Sequence, residues 1–246
     1  MEKIKNKNTL VVKHLKKSFK SRLVVKDVSF EVSSNEIIGL LGPNGAGKTT
    51  SFYMLAGLLS CDKGDIYLDG INIKNFPVHK RAKMGIGYLP QEASIFRQMN
   101  VEENIRSILE LKNLTKEKIN LEVDRFLVGL NIEHLKEVNS MALSGGERRR
   151  CEIARALANY PRFILLDEPF AGVDPIAVND IQKVIAYLKN LGIGVVITDH
   201  NVRETLRICD RGYIINEGTV LASGSPDELV KDEKVKKVYL GENFSL

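Results

Sequence analysis

The sequence predicts an α/β fold in which a mostly parallel β-sheet carries an antiparallel β region and an α-helical insertion. Apolar runs of strand length, such as residues 163–166 and 193–198, alternate with helical segments, as in a parallel sheet covered on both faces. Residues 24–32 instead alternate apolar with polar side chains. Residues 101–159 are rich in leucine, isoleucine, lysine and glutamate without strand signals, which predicts the helical insertion.

The N-terminal part of the chain is predicted to consist mainly of strands. Residues 24–32 have the period of a half-buried strand, and the apolar run at residues 37–41 predicts a fully buried one. Asp69 and Gly70, in the middle of residues 66–73, predict a hairpin.

The second half is predicted to contain most of the helices. Two stretches of the insertion repeat apolar residues at helical spacing: Ile105, Ile108, Leu109 and Leu111, and then Leu121, Val123, Phe126, Leu127 and Leu130. Asp174 and Pro175 predict a helix start with the aspartate as N-cap. Ser225 and Glu228 form a capping-box pattern, which predicts a final amphipathic helix to about Leu240.

The composition is that of an ordinary globular protein with a mild excess of positive charge. The 246 residues are 43% hydrophobic and 27% charged, and the net charge is +5. This balance suits polyanions or an anionic membrane face but identifies neither. Three scattered cysteines without a CxxC pair favour a reducing compartment. Because no apolar run approaches the roughly 18 residues of a membrane helix, we expect a soluble, cytosolic chain. If it works on a membrane, another subunit crosses the bilayer.

Residues 42–49 fit the pattern Gly-x-x-x-x-Gly-Lys-Ser/Thr without mismatch, between the buried strand and a helical stretch. Glycines at this place let backbone N–H groups converge on a polyphosphate, and the helix dipole adds positive potential. Lys48 can reach the β- and γ-phosphates, and the Thr49 hydroxyl can bind Mg²⁺. An ordinary glycine-rich turn is the alternative. The predicted nucleotide-binding residues here are Gly42, Pro43, Asn44, Gly45, Ala46, Gly47, Lys48, Thr49 and Thr50.

Two carboxylates, Asp167 and Glu168, follow the apolar residues 163–166. They are predicted to stand at the carboxyl end of a buried parallel strand, where open α/β sheets bind ligands. Asp167 can hold Mg²⁺ there, directly or through water, and Glu168 can polarise an attacking water, a contribution of about 10²- to 10⁴-fold in rate. The alternative is a strand that ends in two solvated acids.

A second capping-box pattern joins Ser144 to Glu147, with Gly145 and Gly146 between them. Backbone N–H groups at this helix start offer a second anion-binding site. Three arginines follow at residues 148–150, but consecutive helix positions point about 100° apart and form no single basic face for nucleic acid. We therefore expect a solvated, partly ion-paired helix.

In this order, residues 42–49, 143–147 and 163–168 resemble the Walker A, signature and Walker B motifs of ABC-type ATPases. The resemblance covers nearly the whole chain and implies a P-loop NTPase (RecA-like) core. It extends to four further positions: Gln91 as the Q-loop glutamine, Asp174 in the D-loop, His200 as the switch histidine and Phe19 as the aromatic residue that stacks on adenine.

The resemblance implies that two copies of the chain face each other head to tail. ATP would lie between the phosphate loop of one copy and Ser144, Gly145 and Gly146 of the other. Glu168 would act as the catalytic base, and His200 would contact the γ-phosphate. Positioning and charge neutralisation supply most of the catalysis in such phosphoryl transfers. The implied ligands of Mg²⁺ and its waters are Thr49, Gln91 and Asp167.

Phe19 and Glu147 depart from the commoner family residues, which are tyrosine and glutamine. Stacking needs only a ring, and a glutamate completes the capping box equally well. Three of the implied positions have plainer alternatives. Gln91 alone would be a loop glutamine, His200 a polar residue at a helix start, and Asp174 only an N-cap.

Several segments look more specifically like the ATPase subunit of the bacterial lipopolysaccharide-export (Lpt) system; they are residues 85–97, 143–150, 163–175, 197–206 and 238–244. This resemblance implies a homodimer on the cytoplasmic face of the inner membrane that binds two different integral membrane subunits. The dimer would power lipopolysaccharide extraction without touching the cargo, and no nucleic acid would be involved.

By the same resemblance, Phe96 and Arg97 would line a groove that receives a coupling helix of a membrane subunit, and Asp174 would lie at a partner interface. Aromatic residues and arginine are typical interface anchors. The alternative for Phe96 is packing inside the helical insertion.

Three competing functions stay open on the sequence. The ATPase of a branched-chain amino-acid importer shares much of this layout, although residues 91–97 and 239–244 favour export. An ABC ATPase that acts on ribosomes or DNA is disfavoured by the single ATPase unit and by an insertion without sustained heptads. A P-loop GTPase would need an Asn-Lys-x-Asp element, which the sequence lacks.

We expect one ABC ATPase domain over residues 1–246. The core and β subdomain would comprise residues 1–90 and 160–225, the helical subdomain residues 91–159, and the C-terminal helix and tail residues 226–246.

Overall fold

Ten strands run through the part of the chain that the computed structural model describes, which is residues 8–242 and 244 without the side chains of residues 175 and 176. They are β1 (Thr9–Phe19), β2 (Arg22–Ser33), β3 (Ile37–Leu41), β4 (Lys63–Leu68), β5 (Ile71–Asn72), β6 (Ile86–Leu89), β7 (Phe163–Asp167), β8 (Gly194–Thr198), β9 (Arg211–Asn216) and β10 (Thr219–Gly224). They form one sheet in the order β5-β4-β1-β2-β10-β9-β3-β8-β7-β6. Residues 1–7, 243, 245 and 246, at the two ends of the predicted domain, lie outside the described residues.

Nine α-helices belong to the same described part of the chain. They are α1 (Lys48–Ala56), α2 (Val78–Lys83), α3 (Val101–Leu109), α4 (Lys116–Gly129), α5 (Gly145–Leu157), α6 (Pro175–Asn190), α7 (Val202–Leu206), α8 (Pro226–Lys231) and α9 (Glu233–Val235). A π-helical turn, Lys236–Leu240, follows α9. Within residues 8–242, no helix combines the length and the apolar character needed to span a bilayer.

Strands β3, β8, β7 and β6 form the parallel region of the sheet, and β9 joins β3 in the same direction. Every residue of β3, β7 and β8 is buried, which explains their unbroken apolar runs. Successive side chains point to opposite faces. Phe163 and Leu165 pack with α1 and the antiparallel strands, whereas Ile164 and Leu166 pack with α3 to α6. The predicted parallel sheet with two covered faces is therefore confirmed.

The antiparallel region follows from the alternating pattern near the N-terminus. Strand β1 pairs antiparallel with β2 and β4, and β4 pairs antiparallel with β5. Val28, Phe30 and Val32 are buried, as the half-buried strand required. The predicted hairpin turns at Asp69 and Gly70, whose φ angles are 50° and 81°.

The helical insertion lies between β6 and β7, and its buried face includes only some of the apolar residues found at helical spacing. Ile105, Val123 and Phe126 are buried as expected, whereas Leu111 is 79% exposed and Leu121 is 68% exposed. Leu111 lies beyond the end of α3 at Leu109. Leu121 stands two positions before Val123, which is about 200° around the helix. The spacing therefore predicted the helices, and these two leucines lie outside their buried faces.

The C-terminal segment is broken where the sequence predicted one helix to about Leu240. The capping box of Ser225 and Glu228 is present and starts α8. At Asp232 the backbone becomes extended, with φ −69° and ψ 117°, and the Asp232 carboxylate accepts hydrogen bonds from the N–H groups of Lys234 and Val235. The aspartate ends α8 because its side chain caps the next helix instead.

Candidate active site

The carboxyl ends of four parallel strands meet at one edge of the sheet and bring the predicted site residues together. The loop of residues 42–49 follows β3, and Gln91 stands two residues after β6. Asp167 is the last residue of β7, and His200 stands two residues after β8. Open α/β sheets bind their ligands at this edge, so the fold supports the site that the motifs predicted.

Residues 42–49 form a loop whose backbone excludes larger side chains at its first position. Gly42 has a φ of +145°, and a Cβ atom there would lie 2.0 Å from the Ile215 carbonyl oxygen. Gly47 is the N-cap residue of α1 and makes no side-chain cap, so the N-terminus of that helix opens on the loop. Its unpaired N–H groups and dipole favour an anion at this place.

Lys48 is buried in this loop without a carboxylate partner. Its side chain donates hydrogen bonds to the carbonyl oxygens of Gly42 at 2.7 Å and Pro43 at 3.0 Å, and the residue is 7% exposed. No ion pair to Lys48 exists within the described part of the chain. Burial lowers the pKa of Lys48, against the opposing effect of the Glu168 charge. A buried ammonium held only by carbonyls fits a phosphate chain, which would supply the missing negative charge.

Glu168 lies at the centre of a three-residue cluster. One carboxylate oxygen accepts a hydrogen bond from the Gln91 amide at 2.6 Å, and the other lies 2.6 Å from Nε2 of His200. The Glu168 backbone has a φ of +45°, and its N–H donates to the carbonyl oxygen of Thr198 at 2.7 Å. The structure thus unites three residues that the sequence analysis could relate only through the family resemblance.

Asp167 is 3% exposed, and its carboxylate is held by two hydroxyl groups. The Thr198 hydroxyl donates to one oxygen at 2.7 Å and the Tyr88 hydroxyl to the other at 3.4 Å. Burial, and then the charge of Asp167, raise the pKa of Tyr88, so the phenol stays a donor. Neither Tyr88 nor Thr198 was singled out from the sequence.

The oxygen atoms around this edge suit a hard divalent cation. No Lys, Arg or His side chain forms an ion pair with Asp167 in the residues that the structure describes. The Asp167 carboxylate, the Thr49 hydroxyl and the Gln91 amide oxygen are the kinds of ligand that Mg²⁺ accepts, commonly with water and substrate phosphate completing the shell. The donor set therefore fits Mg²⁺.

Arg149 overturns the expectation of a solvated helix at residues 148–150. It is 6% exposed, and its guanidinium donates to the carbonyl oxygens of Pro90 at 2.7 Å and Asp167 at 3.0 Å. Helix α5 packs one side against the sheet edge, where Arg149 points inward. The Arg150 side chain is 12% exposed and lies 3.7 Å from Asp180, so the expected ion pairing is present while the expected solvation is not. Arg149 thereby joins the residue before Gln91 to the end of β7.

Glu152 completes this contact and was also missed by the sequence analysis. It lies 3.3 Å from Arg149, and one of its oxygens accepts the N–H groups of Ser94 at 2.6 Å and Ile95 at 3.2 Å. The segment of residues 90–95, which contains Gln91, is therefore held at both ends by one helix face. The spacing of three residues, which puts an arginine and a glutamate on one helix face, was the only local signal.

The capping box predicted at Ser144 and Glu147 is present at the start of α5. Hydrogen bonds from the Ser144 hydroxyl and N–H hold the pKa of Glu147 below its ordinary value. Ser144 is exposed and Gly145 is half-buried, whereas Gly146 is buried with a Cβ position 2.9 Å from that of Ala177. The hydrogen bonds of Ser144 within the described chain go to Glu147, so Ser144 is not part of the cluster around Glu168.

Two predicted contact residues lie at the surface. Phe19 is 46% exposed at the end of β1, and its ring centroid lies 5.8 Å from the ammonium of Lys17. A ring so exposed is available for stacking. Asp174 is also exposed, and its carboxylate accepts the Ala177 N–H at 3.0 Å, which agrees with the predicted N-cap of α6.

Phe96 borders a groove between β6 and the helical insertion. The groove has a volume of about 440 Å³, and its walls include Ile108, Leu111 and Arg155. The Phe96 ring is 45% exposed and lies 4.5 Å from the Arg155 guanidinium, so it is not packed inside the insertion. Arg97 does not line this groove as predicted; it borders a separate pocket of about 170 Å³. Neighbouring residues of an irregular segment point in different directions, which separates the two side chains.

A family profile described as "ABC transporter" matches residues 25–171, more than half of the chain. The chain belongs to this family. It is an ABC-type ATPase, and the resemblance of the three motifs is confirmed. A second profile, described as "Branched-chain amino acid ATP-binding cassette transporter", matches residues 219–245. Because this range includes residues 239–244, the tail does not favour export over import, contrary to the expectation from the sequence.

Relatives of known name cover almost the whole ABC ATPase chain. The lipopolysaccharide export system ATP-binding protein LptB of Haemophilus influenzae is 58% identical over 238 residues, which is 96% of this chain and 99% of the relative. The protein of the same name from Escherichia coli K12 is 55% identical over 239 residues, with 97% and 99% covered. A solved ATP-binding cassette of an ABC transporter in its ADP conformation superposes with a TM-score of 0.84 at 28% identity, covering 96% of this chain and 99% of its own.

Proposed function

We propose that this ABC ATPase supplies the energy for lipopolysaccharide export from the bacterial inner membrane. The observation that carries the proposal is the similarity at 58% and 55% identity to export ATPases over nearly the full length of both chains. The importer profile, by contrast, covers only residues 219–245. Export is therefore favoured over branched-chain amino-acid uptake.

In the proposed reaction, Lys48 exchanges its two carbonyl partners for phosphate oxygens. Its ammonium is already buried and aimed along the loop, so little reorganisation accompanies binding. Mg²⁺, when bound, neutralises phosphate charge and orients the nucleotide. Thr49, Gln91 and Asp167 would hold it, since they are the oxygen donors at this sheet edge.

Glu168 is the proposed base that takes the proton of the attacking water. In this structure Gln91 and His200 engage both of its carboxylate oxygens. Each carboxylate oxygen can accept a further hydrogen bond beside these contacts, so Glu168 keeps acceptor capacity for the proton of the water. Gln91, on the segment held by Arg149 and Glu152, is the partner with a second role as a metal ligand.

The proposed active unit is a homodimer. Ser144, Gly145 and Gly146 of one copy close the nucleotide site of the other, and Asp174 lies at the same interface. The exposed position of Ser144, apart from the residues around Glu168, supports this arrangement. Phe19 stacks on the adenine ring, for which its exposed ring suffices.

The groove beside Phe96 is the proposed docking site for two integral membrane subunits, which places the chain peripherally on the cytoplasmic face of the inner membrane. Phe96 and Leu111 expose apolar surface there, and Arg155 adds a charged anchor. The cargo and nucleic acid are not expected to contact this chain.

The first test replaces Glu168 by Gln. ATP binding should persist while hydrolysis falls by at least about 10²-fold, which is the lower end of a general-base contribution, and an ATP-bound dimer should accumulate. Light scattering and phosphate release measure the two effects. Phosphate release at the unaltered rate would remove Glu168 from the proposed role.

The second test concerns the partners. Affinity purification of the chain from membranes should recover two different integral membrane subunits, whereas importer-type permeases would support amino-acid uptake. Phe96→Ala should reduce this recovery while nucleotide binding is retained. Leu191→Ala is the matched control, because Leu191 is also 45% exposed but lies outside the groove. Equal recovery with both variants would argue against the groove.

A further inference from the structure

The end of β8 makes two hydrogen bonds to two acidic residues, Asp167 at the end of β7 and Glu168 directly after it. The Thr198 carbonyl oxygen accepts the backbone N–H of Glu168 at 2.7 Å. The Thr198 hydroxyl donates to the Asp167 carboxylate, also at 2.7 Å. One residue of the neighbouring strand therefore holds the backbone of the proposed base and the side chain of the proposed metal ligand.

The next residue, Asp199, ties together the two turns that carry Glu168 and His200. One of its carboxylate oxygens accepts the N–H of Phe170 at 3.0 Å, two residues after Glu168. The other accepts the N–H of Asn201 at 2.7 Å, directly after His200. Each turn is thus bonded to a different oxygen of one carboxylate.

Aspartate is an uncommon residue type at a buried position such as that of Asp199. It is 4% exposed, and no Lys, Arg or His side chain pairs with it in the part of the chain that the structure describes. Burial raises its pKa, and the two amide hydrogen bonds oppose this effect. A buried carboxylate is unfavourable unless its hydrogen bonds are needed, so the two amide contacts are its physical justification here.

The hydrogen bonds of Thr198 and Asp199 flank a strained backbone conformation at Glu168. Its φ of +45° lies in the left-handed region, which a non-glycine residue occupies at an energy of about 1–3 kcal/mol. Such strain persists only where the surroundings impose it. The bonds from Thr198 and Asp199 act on the residues before, at and after Glu168.

We propose that Asp199 and Thr198 are positioning residues that hold Glu168 and His200 in their 2.6 Å contact and aim the Asp167 carboxylate. The inference rests on the proposed role of Glu168 as the base. Neither positioning residue touches the substrate; both act through the residues that they hold.

The decisive variant is Asp199→Asn, which keeps the size of the side chain but can accept only one of the two amide N–H groups. In the full chain, kcat should fall about tenfold or more while the KM for ATP stays within about twofold, because Lys48 and its loop are untouched. A tenfold fall corresponds to about 1.4 kcal/mol of transition-state stabilisation. Measurements at several chain concentrations separate this effect from dimerisation.

The matched control is Asp210→Asn. Its carboxylate also accepts a backbone N–H, that of Ile37 at 2.8 Å, but at the opposite end of the sheet. Both variants should lower the melting temperature, and only Asp199→Asn should lower kcat. Equal falls in kcat, or a kcat of Asp199→Asn within twofold of the wild-type value, would overturn the proposal.

Thr198 provides an independent test that does not depend on the folding of Asp199→Asn. Thr198→Val removes only the hydroxyl, whereas Thr198→Ser retains it. The valine variant should weaken the dependence of nucleotide affinity on Mg²⁺, measured by calorimetry with and without the ion, and the serine variant should restore that dependence. Equal Mg²⁺ dependence in both variants would contradict the proposal that the Thr198 hydroxyl orients the Asp167 carboxylate.

The Glu168→Gln background separates this inference from the proposed function. If Asp199 acts through the contact between Glu168 and His200, adding Asp199→Asn to Glu168→Gln should lower the residual single-turnover rate by a smaller factor than it lowers the wild-type rate, because residues that act as a unit are not additive. Undiminished hydrolysis by Glu168→Gln alone would refute the proposed base. A slow Glu168→Gln with a normal Asp199→Asn would refute only the positioning role.

Discussion

Replacement of Glu152 by alanine is expected to destabilise the protein strongly. It removes from the interior the anionic partner of Arg149 and the side-chain oxygen that accepts two backbone N–H groups. Arg149 and Glu152 are 6% and 2% exposed, and their side chains lie 3.3 Å apart. Glu152 also accepts the N–H groups of Ser94 and Ile95. Its loss leaves a buried guanidinium, the buried amide of Ile95 and the half-buried amide of Ser94 with fewer partners.

The expected magnitude follows from these contacts. Breaking a buried ion pair by removing one partner costs about 3–5 kcal/mol. A buried donor left without its acceptor costs about 1–3 kcal/mol, and this partly overlaps with the first figure because the same carboxylate serves both. We therefore expect a loss of about 3–5 kcal/mol, a large share of the 5–15 kcal/mol typical of folded proteins. For a chain of this size that corresponds to a fall in Tm of about 6–20 °C.

Equilibrium unfolding in urea measures the effect, with Lys183→Ala as the matched control. Lys183 and Asp180 also form a pair three residues apart on a helix, at 3.1 Å, but their side chains are 78% and 44% exposed. Removal of such a surface pair should cost less than about 1 kcal/mol. Glu152→Gln keeps an acceptor and should fall between the two. A loss from Glu152→Ala as small as that from Lys183→Ala would refute the reasoning.

Two further predictions concern ionisable groups. Ser144→Ala should cost about 1 kcal/mol at neutral pH through loss of the N-cap. The difference from wild type should shrink in acid, because hydrogen bonds to Ser144 hold the pKa of the Glu147 carboxyl below its ordinary value. Their contribution to stability is present at neutral pH and is lost as the pH falls through the lowered pKa. A difference in unfolding free energy that stays constant with pH in urea titrations would contradict this. Burial raises the pKa of Cys151 to about 12 and also raises that of Cys209, so iodoacetamide at mildly alkaline pH should label only the half-buried Cys61 in the folded chain. Mass spectrometry checks the site, and rapid labelling of all three native thiols would disprove the argument.

Local sequence patterns predicted most of the strands and helices of the fold. The unbroken apolar run at residues 163–166 predicted a buried strand because a parallel strand is covered on both faces, and the structure buries every residue of it. The capping boxes at Ser144 and Ser225 were visible because their donors and acceptors lie three residues apart. The spacing of Leu121 indicated a helix, but a helical period alone leaves the limits of the buried face to the neighbouring elements.

The helices and strands, the three motifs and the chemical character of the site could be predicted, because they depend on residues close together along the chain. Which side chains meet could be seen only in the folded chain. The Gln91 amide reaches Glu168 across 77 positions of the sequence, and Arg149 reaches Pro90 across 59. Asp199 likewise holds Phe170 across 29 positions. Contacts between such distant segments follow from strand order and helix packing, which no short pattern of residues predicts.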